Sequence, residues 1–329
     1  MSIARAVHES NWQEGIYLDE GRTRELTEIA FNDLNAFKGP HLDMDGVITA
    51  HRIKVIELRK NKTTVEEVAA YNLSAAHIAL NWIRSDIMGR TLALLHKAVY
   101  ILQEKNADIH ERLTPEQYAD LKAKLDKAQE AMSELFNSDM PLSFPTVLGE
   151  ITEGEYYKAL SDLKLEELSG IFRIEYIHFL HRITMMGIRS PKDCGSFRKV
   201  PVSVGTPDVF FPPPLLVPGL MEEFVKKFPI MSLAGRGDTI MTSAMISYRF
   251  VRIHPYIDGN GRISRLIMNL ILTSRFPAVH LKADSGGKKK YGYALKRANS
   301  HQGDATALAC IIAMSLKTIY ESILESLGN

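Results

Sequence analysis

Apolar residues recur at three- and four-residue steps along most of the chain, which is the spacing of amphipathic α-helices. The clearest helix begins at Thr114, which suits an N-cap, with Pro115 in the first turn and Gln117 placed to complete a capping box. The apolar stripe of this helix is Tyr118, Leu121, Leu125, Ala128, Met132 and Leu135. The same periodicity predicts helices around residues 65–104, 165–186, 240–253 and 305–325. The pattern therefore predicts an all-α protein.

Strict alternation of apolar and other residues is confined to one short stretch. Val200, Val202 and Val204 alternate, the turn residues 205–208 follow, and an apolar run then ends at Phe211. This pattern predicts one short β-hairpin. Three prolines follow directly, and they end the hairpin because proline has no N–H group to continue a ladder.

Composition and charge narrow the class of protein. The 329 residues include 40 Lys and Arg against 39 Asp and Glu, a net charge of +1. This balance argues against nucleic acid or a membrane surface as the partner. The two cysteines, Cys194 and Cys310, form no CxxC motif and fit a reducing compartment. With no signal peptide or apolar run of about 20 residues evident, we expect a cytoplasmic protein.

Proline and polar residues around 137–146 indicate a boundary between two parts of the chain. They divide an N-terminal helical region, residues 1–145, from a C-terminal domain, residues 146–329. Long amphipathic helices often pack against copies of themselves, so we also expect a homo-oligomer.

The candidate chemistry is concentrated in residues 254–265, HPYIDGNGRISR. Gly259 and Gly261 flank an asparagine between two predicted helices, so backbone N–H groups can turn toward one point at a helix N-terminus and bind an anion. Arg262 and Arg265 are three residues apart, so they share a helix face and can both reach phosphate oxygens. This arrangement predicts a phosphate site.

Two further side chains of this segment supply chemistry. Asp258 offers hard oxygen ligands for a Mg²⁺ ion that bridges phosphates. His254 can titrate near neutral pH and act as a base. A base, a metal ligand and a phosphate site therefore occur together in one loop, which favours a functional over a structural interpretation.

The same segment resembles the signature of Fic-domain proteins, H-x-F-x-[D/E]-G-N-G-R-x-x-R. Every charged and glycine position matches, and Tyr256 stands where the family usually has phenylalanine. A buried tyrosine hydroxyl needs a partner. The resemblance covers about residues 150–320: Tyr176–Arg198 resembles the family's lead-in helix, and Val200–Phe211 falls where the family has its target-docking flap. It implies a Fic-type helical bundle with this hairpin as the flap, centred on Val202, Ser203 and Val204.

The resemblance also implies an activity, the transfer of AMP from ATP to a hydroxyl of a target protein or of the chain itself. His254 would take the proton from the attacking hydroxyl of a serine, threonine or tyrosine. Asp258 would hold Mg²⁺ on the α- and β-phosphates.

The remaining signature residues would then hold the phosphates of ATP. By resemblance, Gly259, Asn260 and Gly261 cradle them through backbone N–H groups and the asparagine side chain. Arg262 would hold the β-phosphate and Arg265 the γ-phosphate, so that pyrophosphate leaves. A phosphate-transferring branch of the family departs at these glycines and arginines, and this chain does not, which favours adenylylation.

A second motif lies near the N-terminus. Ser10–Gly15 matches [S/T]-x-x-x-E-[G/N], which resembles the inhibitory motif of regulated Fic proteins. The resemblance implies that Ser10 and Glu14 belong to an inhibitory helix. Glu14 would pair with Arg265 and displace the γ-phosphate of ATP.

Three alternatives stay open at this point. Glu14 could instead position a water that removes AMP from a modified protein. His254 and Asp258 could be ligands of a metal-dependent phosphohydrolase, which would need further ligands. The N-terminal region could make the chain a non-catalytic interaction module.

Overall fold

The structure is a computed structural model, and it describes residues 18–37, 42–104, 114–137, 171–204, 209–233, 238–273, 275–279, 281 and 285–327. These residues are mainly helical and include no β-strand, which confirms the all-α class. The helices are α1 Glu20–Leu34, α2 Met44–Lys60, α3 Val65–Glu104, α4 Pro115–Asn137, α5 Ile174–Met185, α6 Val217–Leu233, α7 Thr239–Ile253, α8 Asn260–Leu272, α9 Ser285–Ser300 and α10 Thr306–Leu327.

The helix starts agree with the local signals in the sequence. The N–H of Thr114 donates to Oε1 of Gln117 at 3.0 Å, and the N–H of Gln117 donates to Oγ1 of Thr114 at 3.2 Å. This is the predicted capping box. Thr64 and Glu67 make the same reciprocal pair at the start of α3.

The 40-residue helix α3 lies at the centre of the protein. It packs against α1, α4, α5 and α8, and its residues 68–80 are buried on every side, as expected for an enclosed helix. The principal core joins Leu26 of α1, Ile83 of α3, Ile177 of α5 and Ile267 of α8. Helices from both parts of the chain therefore share one core, while the boundary near residue 145 lies outside the described residues and stays a prediction.

A second core is formed by α7, α8, α9 and α10. By length and composition alone, residues Thr306–Glu325 of α10 could cross a membrane, with a mean hydropathy of 1.6. By this criterion, the expectation that the chain has no apolar run long enough to span a membrane is wrong. Its charged residues interrupt the apolar run, and Lys317 lies 3.6 Å from Glu321 one turn on. In the structure Ile312 and Leu316 of this helix are buried in the second core.

The predicted hairpin is not seen as paired strands in the described parts of its arms, residues 200–204 and 209–211. Its turn, residues 205–208, lies outside the described residues. Here the arms are held from the side: the guanidinium of Arg198 donates to the carbonyls of Val200 and Pro212, at 3.2 and 2.6 Å. The side chain of Arg198 thus bonds to backbone carbonyls at both arms, where we expected the backbones of the two arms to pair.

Candidate active site

His254 follows directly on α7 in the left-handed conformation, with φ 50° and ψ 59°. Its ring Nδ1 lies 3.2 Å from the carbonyl oxygen of Val251. Because a carbonyl can only accept, Nδ1 carries the proton and the lone pair that can accept one lies on Nε2. The ring of Phe211 stacks on the imidazole at 4.0 Å between centroids. His254 is therefore oriented as a base, beside one arm of the predicted flap.

Gly259 is the N-cap of α8, with φ 79°. A Cβ at this position would strain the backbone and would lie 2.8 Å from Sδ of Met185. Beyond it, Asn260 and Gly261 open the helix, where the first N–H groups have no carbonyl one turn back. Such groups at a helix N-terminus bind anions, so the predicted phosphate cradle has the required backbone.

The side chain of Asn260 braces the loop. Its Oδ1 accepts from the N–H of Tyr256 at 3.0 Å, and its Nδ2 donates to the Tyr256 carbonyl at 2.8 Å. The side chain is buried and both of its polar ends are used. The contact of this side chain with phosphate stays a prediction.

Tyr256, which replaces the usual phenylalanine, is fully buried. Its hydroxyl lies 2.9 Å from Nδ1 of His178, so the partner that a buried hydroxyl needs is present. Its ring stacks on His181 at 3.7 Å between centroids. The substitution is therefore accommodated by a neighbour on α5.

Arg262 and Arg265 are buried in the first turns of α8, at 3% and 7% exposure. Nη2 of Arg262 lies 3.7 Å from Oδ1 of Asp258. Two guanidinium groups shielded from water, next to the positive end of a helix dipole, attract a polyphosphate more strongly than exposed arginines would.

Asp258 receives hydrogen bonds on both carboxylate oxygens. Oδ1 accepts from the N–H of Gly259 at 2.6 Å, and Oδ2 accepts from Nε and Nη2 of Arg189 at 2.8 and 2.7 Å. Burial alone would raise the pKa of this carboxyl, but the hydrogen bond from Arg189 and the charge of Arg262 bring the pKa below its usual range. Asp258 is therefore anionic, as a metal ligand must be.

His181 fixes the backbone of the loop. Its Nδ1 accepts from the N–H of Gly195 at 2.8 Å, so Nε2 carries the proton and donates to the Asp258 carbonyl at 3.0 Å. Burial lowers the pKa of His181 to about 4, although the bond to Asp258 opposes this shift. The ring is therefore neutral and its tautomer is set by two backbone groups.

Arg198 connects the loop to the arms of the predicted flap. Its side chain is 2% exposed, and its Nε donates to the His254 carbonyl at 2.7 Å, in addition to the bonds to Val200 and Pro212. Its own N–H donates to the carbonyl of Pro255 at 2.9 Å. One buried side chain thus holds the base and both arms together.

Reasoning from residue types did not single out His181, Arg189 or Arg198. All three lie within the Tyr176–Arg198 stretch, whose resemblance to the family was the one available signal. Of the flap residues, Val202 is half-buried, while Ser203 and Val204 are exposed. Ser10 and Glu14 lie outside the described residues, so the inhibitory contact stays a prediction.

The residues of the loop fit ATP and Mg²⁺ by the chemistry of their donors. A carboxylate beside two buried arginines and a helix N-terminus is suited to Mg²⁺ that is held by phosphate oxygens and one protein ligand. In the part of the chain that the structure describes, no three His, Cys, Asp or Glu side chains gather as a metal site. The ligand set that a metal-dependent phosphohydrolase would need is therefore not found among these residues.

The described fold is all-α, and it brings a histidine, a carboxylate and a helix N-terminus together in one loop. The model of the Fic/DOC family matches residues 171–272, so this part of the chain is a Fic domain. Proteins of this family are generally enzymes that transfer nucleotide-derived groups, and they bind ATP and typically Mg²⁺.

Solved structures of Fic proteins are similar to the chain at low identity. A Fic domain containing signaling protein from Bacteroides thetaiotaomicron is 21% identical, with a TM-score of 0.39 over 72% of this chain and 95% of that one. Fic-1 from C. elegans is 18% identical, with a TM-score of 0.41 over 86% and 84%. A Fic family protein from Desulfovibrio desulfuricans is 18% identical, with a TM-score of 0.39 over 87% and 75%. No curated protein matches the sequence significantly.

Proposed function

We propose that the protein is a protein adenylyltransferase, which transfers AMP from ATP to a serine, threonine or tyrosine hydroxyl of a target protein or of the chain itself. The observation that carries the proposal is the hydrogen bond between Nδ1 of His254 and the Val251 carbonyl. This bond leaves Nε2 as the basic nitrogen of the imidazole, beside the loop that we propose binds phosphate.

In the proposed reaction, His254 takes the proton of the target hydroxyl, and the hydroxyl oxygen attacks the α-phosphorus of ATP. The bond from the α-phosphorus to the oxygen bridging to the β-phosphate breaks, and pyrophosphate leaves with that electron pair. Arg262, Arg265 and the N–H groups at the start of α8 hold the phosphate oxygens. Mg²⁺ held by Asp258 would neutralise charge on the leaving group.

The inhibitory role of Glu14 is part of this proposal and is supported by the sequence motif alone. A carboxylate paired with Arg265 would occupy the position of the γ-phosphate and keep ATP from binding productively. The cytoplasmic location, and a target protein rather than nucleic acid or membrane as the partner, rest likewise on the sequence.

The test is transfer of label from α-labelled ATP with Mg²⁺, using wild type, Glu14→Gly, His254→Ala and the double variant Glu14→Gly/His254→Ala, with cell lysate as the source of targets. We expect strong labelling by Glu14→Gly, weak labelling by wild type and none by the double variant Glu14→Gly/His254→Ala. A parallel reaction with γ-labelled ATP separates AMP transfer from phosphate transfer, because only the latter retains that label on the protein.

The substitution His301→Ala, at an exposed histidine outside the loop, is the matched control and should leave labelling unchanged. Equal labelling by wild type and Glu14→Gly would reject the inhibitory role alone. Labelling that survives His254→Ala, or label from the γ-position, would reject the proposed reaction.

A further inference from the structure

The ion pair between Arg189 and Asp258 involves the carboxylate that the proposed reaction assigns to Mg²⁺. Nε and Nη2 of Arg189 both contact Oδ2, at 2.8 and 2.7 Å. The other oxygen accepts from the Gly259 N–H at 2.6 Å. Both oxygens of the carboxylate therefore already have donors from the protein itself.

Two cations cannot share Oδ2 without cost. Mg²⁺ binds a carboxylate oxygen at about 2.0–2.1 Å, so a guanidinium that keeps its contacts with this oxygen would lie next to a doubly charged ion. At such short range the repulsion is strong, even near the protein surface. Binding of the cation and retention of the Arg189 contact therefore oppose each other.

The two arginines near Asp258 differ in their freedom to move. The side chain of Arg189 is 48% exposed, and it lies in the turn after α5. That of Arg262 is 3% exposed within α8. An exposed arginine can leave an ion pair for water at small cost, because exposed pairs contribute little net free energy. Arg189 is thus the cation that can be displaced, and Arg262 is the one that stays.

We propose that Arg189 occupies the carboxylate of Asp258, the proposed cation ligand, until Mg²⁺ arrives with ATP and displaces it. Arg189 therefore lowers the affinity of the site for divalent cations. It also links cation binding to nucleotide binding, because the phosphates supply further ligands that favour replacement of Arg189 by the cation. The inference rests on the proposed function, because it takes Mg²⁺–ATP as the ligand.

The test measures cation binding directly and needs no target protein. Free Mn²⁺ is followed by electron paramagnetic resonance in titrations with saturating α,β-methylene-ATP, whose α–β bridge cannot be cleaved. We expect Arg189→Gln to bind Mn²⁺ about threefold more tightly than wild type, the modest factor that an exposed ion pair can contribute. Arg189→Lys should lie between the two, because it keeps the charge but loses the paired contacts. Arg24→Gln, at an exposed arginine of α1, is the matched control and should equal wild type.

The outcomes separate this inference from the proposed function. Unchanged Mn²⁺ affinity in Arg189→Gln, with nucleotide bound normally, would overturn the role of Arg189 alone. Weaker binding of both Mn²⁺ and nucleotide in that variant would overturn it as well, and would indicate that Arg189 contacts phosphate. If wild type and all variants bind neither α,β-methylene-ATP nor Mn²⁺, the proposed function fails and the role of Arg189 fails with it.

Discussion

Two regions build the site in different ways: the loop of residues 254–265 and the stretch of residues 178–198 that packs beneath it. The loop contributes the proposed reacting groups, and these are near neighbours in sequence. The second region contributes His178, His181 and Arg198, each of which bonds to an atom of the loop. The chemistry is therefore local in sequence, whereas its orientation depends on contacts across more than 50 residues of chain.

Two of the residues that support the loop are deeply buried. His181 and Arg198 are each 2% exposed, and both bond to backbone carbonyls rather than to carboxylates. A buried polar group that loses its partner costs free energy, so each support and its loop atom depend on each other. Substitutions beneath the loop should therefore damage the site as much as substitutions within it.

The largest effect is expected for Arg198→Met, which keeps a long side chain but removes every donor. Carbonyls of three segments then lose a hydrogen bond, and we expect the free energy of unfolding to fall by about 3 kcal/mol. Displacement of His254 should lower AMP transfer about 100-fold. Urea unfolding and initial rates with α-labelled ATP measure the two effects.

A matched control for Arg198→Met is Arg252→Met, because the half-buried Arg252 also donates to a flap-arm carbonyl, that of Phe210, at 3.2 Å. We expect this variant to lose at most about 0.5 kcal/mol. Equal losses in the two variants would contradict the special role of Arg198.

The next effect tests the loop itself, through Gly259→Ala. The new Cβ would occupy a left-handed backbone position and approach Sδ of Met185 to 2.8 Å. We expect a loss of about 2 kcal/mol in the free energy of unfolding, together with reduced AMP transfer. Gly219→Ala in α6 is the control, since its Cβ would meet no atom within 4 Å. A neutral Gly259→Ala would contradict the strain argument.

The sequence was sufficient to predict the features that depend on local contacts. Helix α7 and the capping box of α4 follow from periodicity and from residues three positions apart. The clustering of chemical groups in residues 254–265 was also readable, because they are sequence neighbours. The sequence did not indicate that the side chain of Asn260 also braces the backbone of Tyr256.

The roles of His181 and Arg198 could not be predicted, because these side chains act on backbone atoms, and a backbone contact leaves no trace in the residue type of the partner. Nothing about Val200 or Pro212 indicates that their carbonyls accept from Arg198. The lack of paired strands in the described arms has the same origin. A hairpin pattern predicts backbone pairing, and it cannot anticipate that the side chain of Arg198, which precedes the first arm, bonds to carbonyls at both arms.

A third effect concerns pH and the buried histidines. Burial lowers the pKa of His181 and of His51 to about 4, below the ordinary value of 6.5 that each regains on unfolding. Between these values the unfolded chain binds more protons than the folded one. The free energy of unfolding should therefore fall as the pH drops from about 6.5 toward 4.

The variant His181→Gln separates the contribution of one histidine from the other. In urea unfolding at several pH values between 4.5 and 6.5, it should reduce the slope by up to about 1.4 kcal/mol per pH unit. The variant should also be less stable than wild type at pH 7, because one of two backbone contacts is lost. Equal slopes in wild type and variant would show that His181 is not held neutral.

The smallest effect is expected where the loop departs from the family signature, at Tyr256. Tyr256→Phe removes the contact with His178 but keeps the buried ring, so we expect a loss of about 1 kcal/mol in the free energy of unfolding. AMP transfer should stay within about twofold of wild type, because the hydroxyl contacts α5 and only helps to hold the loop in place. Tyr248→Phe, which breaks a 3.0 Å bond to Asn299 outside the loop, should cost a similar amount. A tenfold fall in AMP transfer in Tyr256→Phe, but not in Tyr248→Phe, would place the hydroxyl among the groups that set the geometry of His254.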